Sequence, residues 1–320
     1  MLTTGLVALA VLIGLGLWID RKADLNEARS EARFPPQGTF VAVNGRDVHV
    51  VVKGKGPDLV LIHGAGGNSR DFTFRFMDRL TDRYRVFAVD RPGLGYSEPL
   101  LPISAFGGRA ATPREQARQL ADAVAQLGAE RPIVLGHSYG GAVAMAWALE
   151  RETAGLVVVS GATMPWPGPL RVYYRFFGSP LGGALGAPLV SALWGPDRLD
   201  ASVAGIFAPR PTPSGYVQGA GVSLATRTGH FRASARQVRE LRPQVVEQSA
   251  DYGRIEVPVE LVHGVEDDTV PADVHAIPLS RILPDVSLTL LDGEGHAPHH
   301  TDPDAVVQAI DRVAARAGLR

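Results

Sequence analysis

The sequence contains no cysteine and no marked excess of charge of either sign. Without cysteine, disulfides, thiolate zinc sites, iron–sulfur clusters, a cysteine nucleophile and lipid attachment through a thiol are all excluded. The 32 Lys and Arg residues nearly balance the 33 Asp and Glu residues, giving a net charge of −1, so a nucleic-acid partner is not expected. A hydrophobic fraction of 45% with this low net charge excludes disorder for most of the chain.

A long hydrophobic run is present at the N-terminus. Residues Leu2 to Ile19 contain only Thr3 and Thr4 as polar side chains, and as a helix they would span about 27 Å, close to the roughly 30 Å hydrocarbon core of a bilayer. Trp18 suits the membrane interface. A cleaved signal peptide would need a preceding basic residue and a small-x-small site, and a buried core helix would need an amphipathic face. Since the sequence shows none of these features, we predict an uncleaved single-pass anchor over residues 1–19.

A charged stretch follows the hydrophobic run. Residues 20–36 end in Pro35-Pro36 and are predicted to form a stalk between the membrane and the following domain. The basic residues near the run all follow it, which by the positive-inside rule favours a domain on the cytoplasmic side. These basic residues are Arg21, Lys22, Arg29 and Arg33.

Short apolar runs alternate with helical patterns in the rest of the chain. An alternating segment around Asn44-Gly45 predicts a β-hairpin. Helices are predicted at Thr112 to Gly128, which begins with a capping pattern, and at Asp304 to Ala317. This alternation predicts an open, mostly parallel sheet with helices on both faces. The predicted buried strands are Leu59–His63, Val86–Asp90, Pro132–Gly136, Leu156–Ser160, Val259–His263 and Ser287–Leu291.

Residues 164–232 interrupt this alternation. They are rich in Pro and Gly, show no clear strand pattern and contain nine aromatic residues. An insertion of this length between two core strands is typical of a functional segment such as a lid or cap.

The most informative chemical motif follows a predicted strand. Residues Gly136 to Gly140 match the pattern G-x-S-x-G, with Ser138 at the centre, and a helical sequence follows. On a sharp strand-to-helix turn the serine is exposed, and small flanking residues let the backbone pass closely. The helix N-terminus then offers backbone N–H groups to a developing oxyanion. Ser138 is therefore a candidate nucleophile, and the alternative is a small residue in a tight turn.

With this context the sequence resembles the α/β-hydrolase family, specifically its lid-containing serine hydrolases, which are esterase- or lipase-like. The resemblance runs from about Phe40 to the C-terminus, except for the lid. It implies an α/β fold with a mostly parallel, eight-stranded sheet flanked by helices, in a domain of residues 37–320 with a helical cap inserted at about 164–232. The other motifs in the family's order are His63–Gly67, Asp90–Ser97, His263–Pro271 and Gly293–His296.

The family's chemistry requires a nucleophile, an acid and a base in that chain order. The resemblance implies that Ser138 is the nucleophile, Asp267 the acid and His296 the base. Asp268 competes with Asp267, and Glu266 is a weaker candidate. The family pattern places the acid four residues before the proline, which selects Asp267. The backbone N–H groups implied as the oxyanion hole belong to Ala65 and Tyr139.

Two further histidines follow His296. A metal site formed by His296, His299 and His300 is conceivable, because neutral imidazoles bind zinc, but no carboxylate pattern accompanies them. We therefore interpret His299 and His300 as solvated loop residues and predict no metal. Asp90 and Arg91 are expected to hold their loop by hydrogen bonds.

A serine nucleophile with an oxyanion hole indicates acyl transfer through an acyl-enzyme that water hydrolyses. Family members that open epoxides or displace halide carry Asp at the position of Ser138, so both reactions are disfavoured. The aromatic lid favours apolar acyl groups, and no Lys or Arg cluster indicates a multiply charged substrate. We predict a membrane-anchored hydrolase of small apolar carboxylic esters that uses no organic cofactor. The alternatives are carbon–carbon, thioester or amide hydrolysis or cofactor-free perhydrolysis on the same triad, and a non-catalytic binding module.

Overall fold

The computed structural model describes residues Leu2 to Leu319, apart from the side chains of Leu2 and Pro196. Met1 and Arg320, the end residues of the predicted anchor and of the predicted hydrolase domain, lie outside the described residues. The strands are β1 (Thr39–Val43), β2 (Arg46–Lys53), β3 (Asp58–Ile62), β4 (Arg85–Val89), β5 (Ile133–His137), β6 (Gly155–Val159), β7 (Val259–Gly264) and β8 (Val286–Leu291). They form one eight-stranded sheet in the order β1-β2-β4-β3-β5-β6-β7-β8, which confirms the predicted fold class.

The sheet is parallel except at one edge. β1 and β2 form the hairpin predicted at Asn44-Gly45, and β2 also runs antiparallel to β4. The remaining neighbours all pair in parallel, and the six predicted strands match the observed bounds to within one residue at each end. Every residue of β5, β6 and β7 is buried, as their continuous apolar sequences predict. The carboxyl ends of the parallel strands therefore lie at one edge of the sheet, where the motif loops begin.

Helices cover both faces of the sheet. Val60 and Ile62 of β3 pack in a core cluster with α3 and α4, whereas Leu59 and Leu61 pack in a second cluster with α12, as the alternation of side chains along a strand requires. The helices in chain order are α1 (Leu2–Arg33), α2 (Arg70–Thr73), α3 (Pro113–Gln126), α4 (Tyr139–Glu150), α5 (Val172–Phe177), α6 (Ala187–Leu193), α7 (Pro196–Phe207), α8 (Tyr216–Gly219), α9 (Thr228–Ser249), α10 (Ala276–Leu279), α11 (Pro298–Thr301) and α12 (Pro303–Arg316).

Helix α3 begins with the predicted capping pattern. The Thr112 side chain accepts a hydrogen bond from the backbone N–H of Glu115, and the Glu115 side chain accepts one from the backbone N–H of Thr112. Pro113 occupies the first helical position, where its missing N–H costs nothing. The local sequence therefore determines where this core helix starts.

The chain between β6 and β7 forms the helices α5 to α9, which we call the cap. Its described residues contain no strand, in agreement with the sequence pattern of residues 164–232. Helix α9 starts at Thr228 and continues to Ser249, so that the cap returns to the core along a helix of 22 residues.

Helix α1 is one continuous helix that includes both the hydrophobic run and most of the charged stretch that follows it. An 18-residue window has a mean hydropathy of 1.8 and none of it is buried, so by length and composition it could cross a membrane. The charged half lies on the cap. Ala23 is only 2% exposed, Asn26 Nδ2 donates to the Ser191 carbonyl oxygen at 2.9 Å, and Glu27 Oε1 accepts from the backbone N–H of Thr228 at 2.7 Å.

Candidate active site

Ser138 lies on the sharp turn between β5 and α4. Its backbone has φ 55° and ψ −119°, a strained conformation for a residue other than glycine. A Cβ atom on Gly136 would lie 2.1 Å from the Gly140 carbonyl oxygen, and one on Gly140 would lie 2.2 Å from the Ile62 carbonyl oxygen. No larger residue fits at either position. The G-x-S-x-G pattern is therefore a consequence of backbone contacts that hold the serine at the end of the strand.

Asp267 and His296 form a buried hydrogen-bonded pair. Asp267 Oδ2 accepts from His296 Nδ1 at 2.7 Å, and Asp267 Oδ1 accepts from the backbone N–H groups of Thr269 and Val270 at 2.9 Å each. Burial alone would raise the pKa of Asp267, but the charge and hydrogen bond of His296 and the other donors outweigh it and lower that pKa well below its ordinary value. The structure therefore places an ionised carboxylate on the imidazole.

The competing acids point away from this pair. Asp268 and Glu266 are both exposed, whereas Asp267 is 4% exposed. The difference arises because Asp267 turns its side chain into the loop after β7, where the backbone donors of the same turn bind it.

His137 connects Ser138 to the loop of His296. His137 Nε2 donates to the His296 carbonyl oxygen at 2.8 Å, and the centroids of the two rings are 4.9 Å apart. Ser138 is 8% exposed. Within residues 2–319, no hydrogen bond joins Ser138 Oγ to the His296 ring. Hydrogen bonds between a nucleophile and its base often form fully only when substrate binds. The structure thus brings all three predicted residues to one edge of the sheet.

The loop after β3 carries Ala65, whose backbone N–H is predicted to form part of the oxyanion hole, and we call it the oxyanion loop after that prediction. It lies against Ser138, the predicted nucleophile. A Cβ atom on Gly64 would lie 3.0 Å from Ser138 Cβ, so the loop passes as closely as it can. The backbone N–H of Gly66 donates to Ser234 Oγ of α9 at 2.8 Å. A side chain of the cap therefore helps to fix the conformation of this loop.

Arg91 holds the same loop from beneath. Its guanidinium is fully buried, donates to the carbonyl oxygens of His63 at 3.0 Å and Gly64 at 2.9 Å, and donates to Gln237 Oε1 at 2.7 Å. It also lies 4.2 Å from the centroid of the Tyr139 ring. Burial lowers the pKa of Arg91 to about 10, so the side chain is charged at neutral pH. As predicted, Arg91 acts through hydrogen bonds, but its carbonyl acceptors lie in the loop after β3 and not in the loop that Arg91 itself begins.

Asp90, the residue before Arg91, also fixes loops through hydrogen bonds. Its carboxylate accepts from the backbone N–H groups of Ser69 at 2.5 Å and Tyr96 at 2.8 Å, and from His49 Nδ1 at 2.8 Å. Burial would raise the pKa of Asp90, but these donors and the His49 charge lower it to about 2. Asp90 therefore organises its loop as predicted.

The interpretation of His299 and His300 as solvated loop residues is wrong. Both lie on α11, where their rings are buried against Asp71 of α2. His299 Nε2 donates to Asp71 Oδ2 at 3.2 Å, His300 Nε2 donates to Asp71 Oδ1 at 2.9 Å, and Tyr216 OH of the cap donates to Asp71 Oδ1 at 2.8 Å. Pro298 starts a helical turn that points both rings inward, toward a carboxylate more than 200 residues earlier in the chain.

Asp71 therefore connects three parts of the site, namely α2, the segment that follows His296, and the cap. It lies on the helix after the oxyanion loop, and its donors come from the loop after His296 and from the cap. Burial would raise the pKa of Asp71, but its electrostatic interactions and hydrogen bonds with the His299 and His300 rings outweigh it and hold that pKa well below its ordinary value. The carboxylate is thus ionised and carries three hydrogen bonds.

The same cluster contains the residue types that bind metals. Within the described residues, ligand atoms of Asp71, His137 and His299 lie within 4.8 Å of one another. Burial lowers the pKa of His137 well below its ordinary value and that of His299 to about 4, so both rings are neutral, as metal ligation requires. However, the Asp71 oxygens are already occupied by three protein donors. The grouping of His296 with His299 and His300, considered from the sequence, is not the one that the fold assembles.

A cavity of about 390 Å³ lies between the oxyanion loop and the cap. It reaches Ala65 and Gly66 at one end and touches Ile206, whose carbonyl oxygen accepts from the backbone N–H of His296 at 3.0 Å. Its wall is mostly apolar and aromatic. The principal cap residues in it are Tyr173, Tyr174, Trp194, Leu199, Val203, Ile206 and Phe231.

A parallel α/β sheet with a serine on a strained turn, followed in the chain by a buried Asp–His pair, defines the class of α/β hydrolases. Residues 59–309 match the Alpha/beta hydrolase family, and the chain belongs to this family. The resemblance stated from the motifs is thereby confirmed. Among curated relatives, haloalkane dehalogenase 2 of Mycobacterium tuberculosis is 28% identical over 289 residues, which cover 85% of this chain and 92% of the relative.

Solved structures share the fold at low sequence identity. An esterase from Thermogutta terrifontis is 21% identical, with a TM-score of 0.69 over 88% of this chain and 99% of the other. A structure described as a membrane phospholipase A and bacterial virulence factor is also 21% identical, with a TM-score of 0.65 over 98% of this chain and 99% of the other. These structures show the same architecture, with esterases among its members.

Asp71, Ser234 and Tyr216 were not identified as site residues from the sequence. Ser234 and Tyr216 lie in the cap, where no motif marks them. For Asp71 a signal existed, because a carboxylate stands directly before an aromatic segment, Phe72 to Phe76, that should be buried. A buried carboxylate requires donors, and unassigned histidines were available.

Proposed function

We propose that the protein is a serine hydrolase that cleaves carboxylic esters of apolar acyl groups. The observation that carries the proposal is the 2.7 Å hydrogen bond between Asp267 and His296 at the sheet edge that also holds Ser138 on its strained turn. Ser138 Oγ attacks the ester carbonyl carbon while His296 Nε2 takes the hydroxyl proton, and His296 returns that proton to the leaving alcohol as the C–O bond breaks. Water activated by His296 then releases the acid from Ser138.

The neighbouring groups stabilise the charges that develop. Asp267 holds the His296 ring with Nε2 free for the reaction and stabilises the imidazolium. The backbone N–H groups of Ala65 and Tyr139 form the oxyanion hole in this proposal, supported by the close approach of the Gly64 loop to Ser138. The Gly66 N–H is already bound to Ser234, so it is not available to the oxyanion.

The cavity supports the choice of acyl group. Its 390 Å³ would accept a chain of several methylene groups beside Ala65, and its aromatic and aliphatic wall would bind such a chain by the hydrophobic effect. A charged acyl group would be desolvated there without a partner.

Halide displacement, the activity in the name of one relative, is not proposed. It needs a carboxylate nucleophile, because the resulting alkyl ester can be hydrolysed. Ser138 would instead form an ether, which water does not cleave under these conditions. The nucleophile therefore directs the same scaffold to acyl transfer.

Membrane attachment through α1 is part of the proposal. Residues 1–19 act as the anchor, 20–36 as the stalk and 37–320 as the hydrolase domain with its cap at about 164–232, on the cytoplasmic side according to the flanking basic residues. The exposed apolar half of α1 supports this, as does the likeness to the structure named a membrane phospholipase A. Deletion of residues 2–19 should release the protein from carbonate-washed membranes.

Replacement of the nucleophile tests the proposed reaction. Ser138→Ala should lower kcat on p-nitrophenyl butyrate by roughly 10⁴-fold or more and abolish labelling by a fluorophosphonate probe. Ser249→Ala, at the end of α9, should change neither. Full esterase activity in Ser138→Ala would show that the assignment is wrong. Labelling of Ser138 without ester cleavage would instead favour amide, thioester or carbon–carbon hydrolysis on the same residues.

A further inference from the structure

A second cavity lies between α1 and the cap. It has a volume of about 490 Å³ and is lined on one side by residues of the α1 half that follows the hydrophobic run. Three of its residues, Trp194, Leu199 and Thr226, also line the 390 Å³ cavity beside the oxyanion loop. The two cavities therefore adjoin at these side chains. We call the second cavity the helix groove.

The helix groove has a basic wall. Lys22, Arg29 and Arg33 line it, and their spacings of seven and four residues place them on one face of α1. Within residues 2–319, none of the three forms an ion pair with a carboxylate, although Glu31 on the same helix pairs with Arg227 of the cap. Asp200 is the acidic residue in the lining. Their partners are uncharged: Lys22 lies over the Trp18 ring, Arg33 lies over the Phe34 ring, and Arg29 donates to Asn26 Oδ1. Because no carboxylate neutralises them, the three cations attract an anion to the cavity.

The position of the groove along α1 places it at the membrane surface. Lys22 follows Ile19, the end of the hydrophobic run, by three residues, or about 4.5 Å of helix. Phosphate groups of lipids lie at this depth just outside the hydrocarbon core. The opposite end of the groove, at Arg33 and Phe34, lies about 20 Å from Ile19 along the helix axis. A lipid could thus enter the groove without crossing bulk water.

We infer that the helix groove binds a phosphate-bearing membrane lipid, with the phosphate between Lys22 and Arg29, Arg33 adding positive charge at the far end of the groove, and an acyl chain directed past Trp194 into the cavity beside Ala65. This inference rests on the proposed ester hydrolysis and membrane attachment, and it specifies their substrate class. Arginine and lysine at a partly enclosed site bind phosphate by charge-assisted hydrogen bonds. Leu199, which is buried, and Trp194 supply an apolar passage for the chain.

The first arm of the test measures binding and requires no catalysis. Full-length Ser138→Ala protein in detergent micelles is titrated with oleoyl-lysophosphatidylglycerol and, separately, with uncharged monooleoylglycerol. Arg29→Gln should weaken binding of the phospholipid at least tenfold and of the neutral lipid less than twofold. Arg21→Gln is the matched control, since Arg21 is an exposed arginine on the same helix that does not line the groove. It should change neither by more than twofold.

The second arm identifies the source of the phosphate. Inorganic phosphate at 20 mM should displace less than a fifth of the bound lysophospholipid, because the acyl chain supplies much of the affinity. Displacement of most of the lipid would indicate a soluble phosphate ligand and overturn the inference. Equal effects of Arg29→Gln and Arg21→Gln, or equal effects on charged and neutral lipids, would also overturn it.

The third arm separates this inference from the proposed function. In protein with Ser138 intact, Arg29→Gln should lower kcat/KM for the lysophospholipid about tenfold and leave that for p-nitrophenyl butyrate unchanged. If the phospholipid binds as expected but no ester is cleaved, the proposed reaction fails while the binding site stands. If esters are cleaved but Arg29 has no selective effect, the reaction stands and the groove does not bind phosphate.

Discussion

The floor of the site and its roof are held by different interactions. The floor consists of the loops after β3, β4, β5, β7 and β8, and the charged residues that hold the site together, such as Arg91 and Asp267, are buried and hydrogen-bonded. Arg91 is fully buried and donates five hydrogen bonds, four from its side chain and one from its backbone N–H. Asp267 accepts from two backbone N–H groups and an imidazole. The roof consists of the cap and the charged half of α1, which are joined by half-exposed side chains such as Asn26 and Glu27.

This difference assigns separate tasks to the two regions. A buried, fully bonded ion has one low-energy arrangement, so the floor keeps reacting groups in fixed positions. The roof lines both cavities with aliphatic, aromatic and basic side chains, few of which are bonded to the floor. Substitutions in the roof should therefore change the rate of the chemical step less than they change which substrates bind. Asp71 belongs to the floor but accepts Tyr216 from the roof, so it links the two.

The largest effect is expected for the acid of the floor. Asp267→Asn keeps the shape of the side chain but removes the charge and reverses the donor pattern at His296 Nδ1, so kcat for ester hydrolysis should fall by roughly 10⁴-fold. Asp268→Asn, one residue later and exposed, should change kcat less than twofold. Steady-state kinetics on p-nitrophenyl butyrate measure both. A large loss of kcat in Asp268→Asn would show that Asp268 contributes as the acid.

A smaller effect is expected at the link between floor and roof. Asp71→Asn replaces a carboxylate that accepts three hydrogen bonds and should lower the free energy of unfolding by about 2 kcal/mol. Since the His296 loop and the cap both lose a partner, kcat/KM should also fall about tenfold. Asp78→Asn, at a position 65% exposed, should be nearly neutral. Calorimetry measures the stability of both variants, and steady-state kinetics measure their kcat/KM. If Asp71→Asn behaved like Asp78→Asn, Asp71 would not link the floor to the roof.

Acid should destabilise the protein through buried neutral histidines. Burial lowers the pKa of His63, His275 and His299 to about 4, whereas the unfolded chain titrates near 6.5. Between these values the unfolded chain binds more protons, so stability falls as the pH drops from 6.5 toward 4, by roughly 1 kcal/mol for each histidine at pH 5.5. Thermal unfolding at pH 7.0 and 5.5 measures this loss. His299→Gln should reduce the difference between the unfolding temperatures at pH 7.0 and pH 5.5. An unchanged difference would show that His299 is not one of the histidines that destabilise the protein in acid.

The smallest effect is expected on the outer surface of the roof. Leu185 is 60% exposed, so Leu185→Ala should change the free energy of unfolding by less than about 0.5 kcal/mol. Thermal unfolding in detergent gives the value. A loss above about 1 kcal/mol would mean that this residue is packed in the folded protein, and that the roof is held more firmly than its contacts indicate.

Much of the floor could be predicted because it follows from local constraints. The strand-to-helix turn at Ser138, the strands and the capping box of α3 each depend on neighbouring residues. The order of the family's motifs selected Asp267 and His296, which a hydrogen bond joins in the structure. The predicted strand ends are accurate because apolar runs end where backbone groups meet polar loops.

The rest depends on contacts between distant residues. Asp71 is separated from His299 and His300 by 228 and 229 positions in the sequence, so no local pattern pairs the carboxylate with the histidines, which were interpreted as solvated. The basic face of α1 was overlooked for a different reason. Its charges were counted for topology and not placed on a helix, and without the helical period Lys22, Arg29 and Arg33 do not form a group.

Helix α1 has one further consequence. Because Leu2 to Arg33 form a single helix without a break, the rotation of the apolar half about its axis is fixed to that of the cap. Each residue inserted after Ile19 would turn one half by about 100° relative to the other and move it about 1.5 Å along the axis. Helical phase therefore sets which side of the apolar half lies next to the groove, so the number of residues between the two halves matters as well as their side chains.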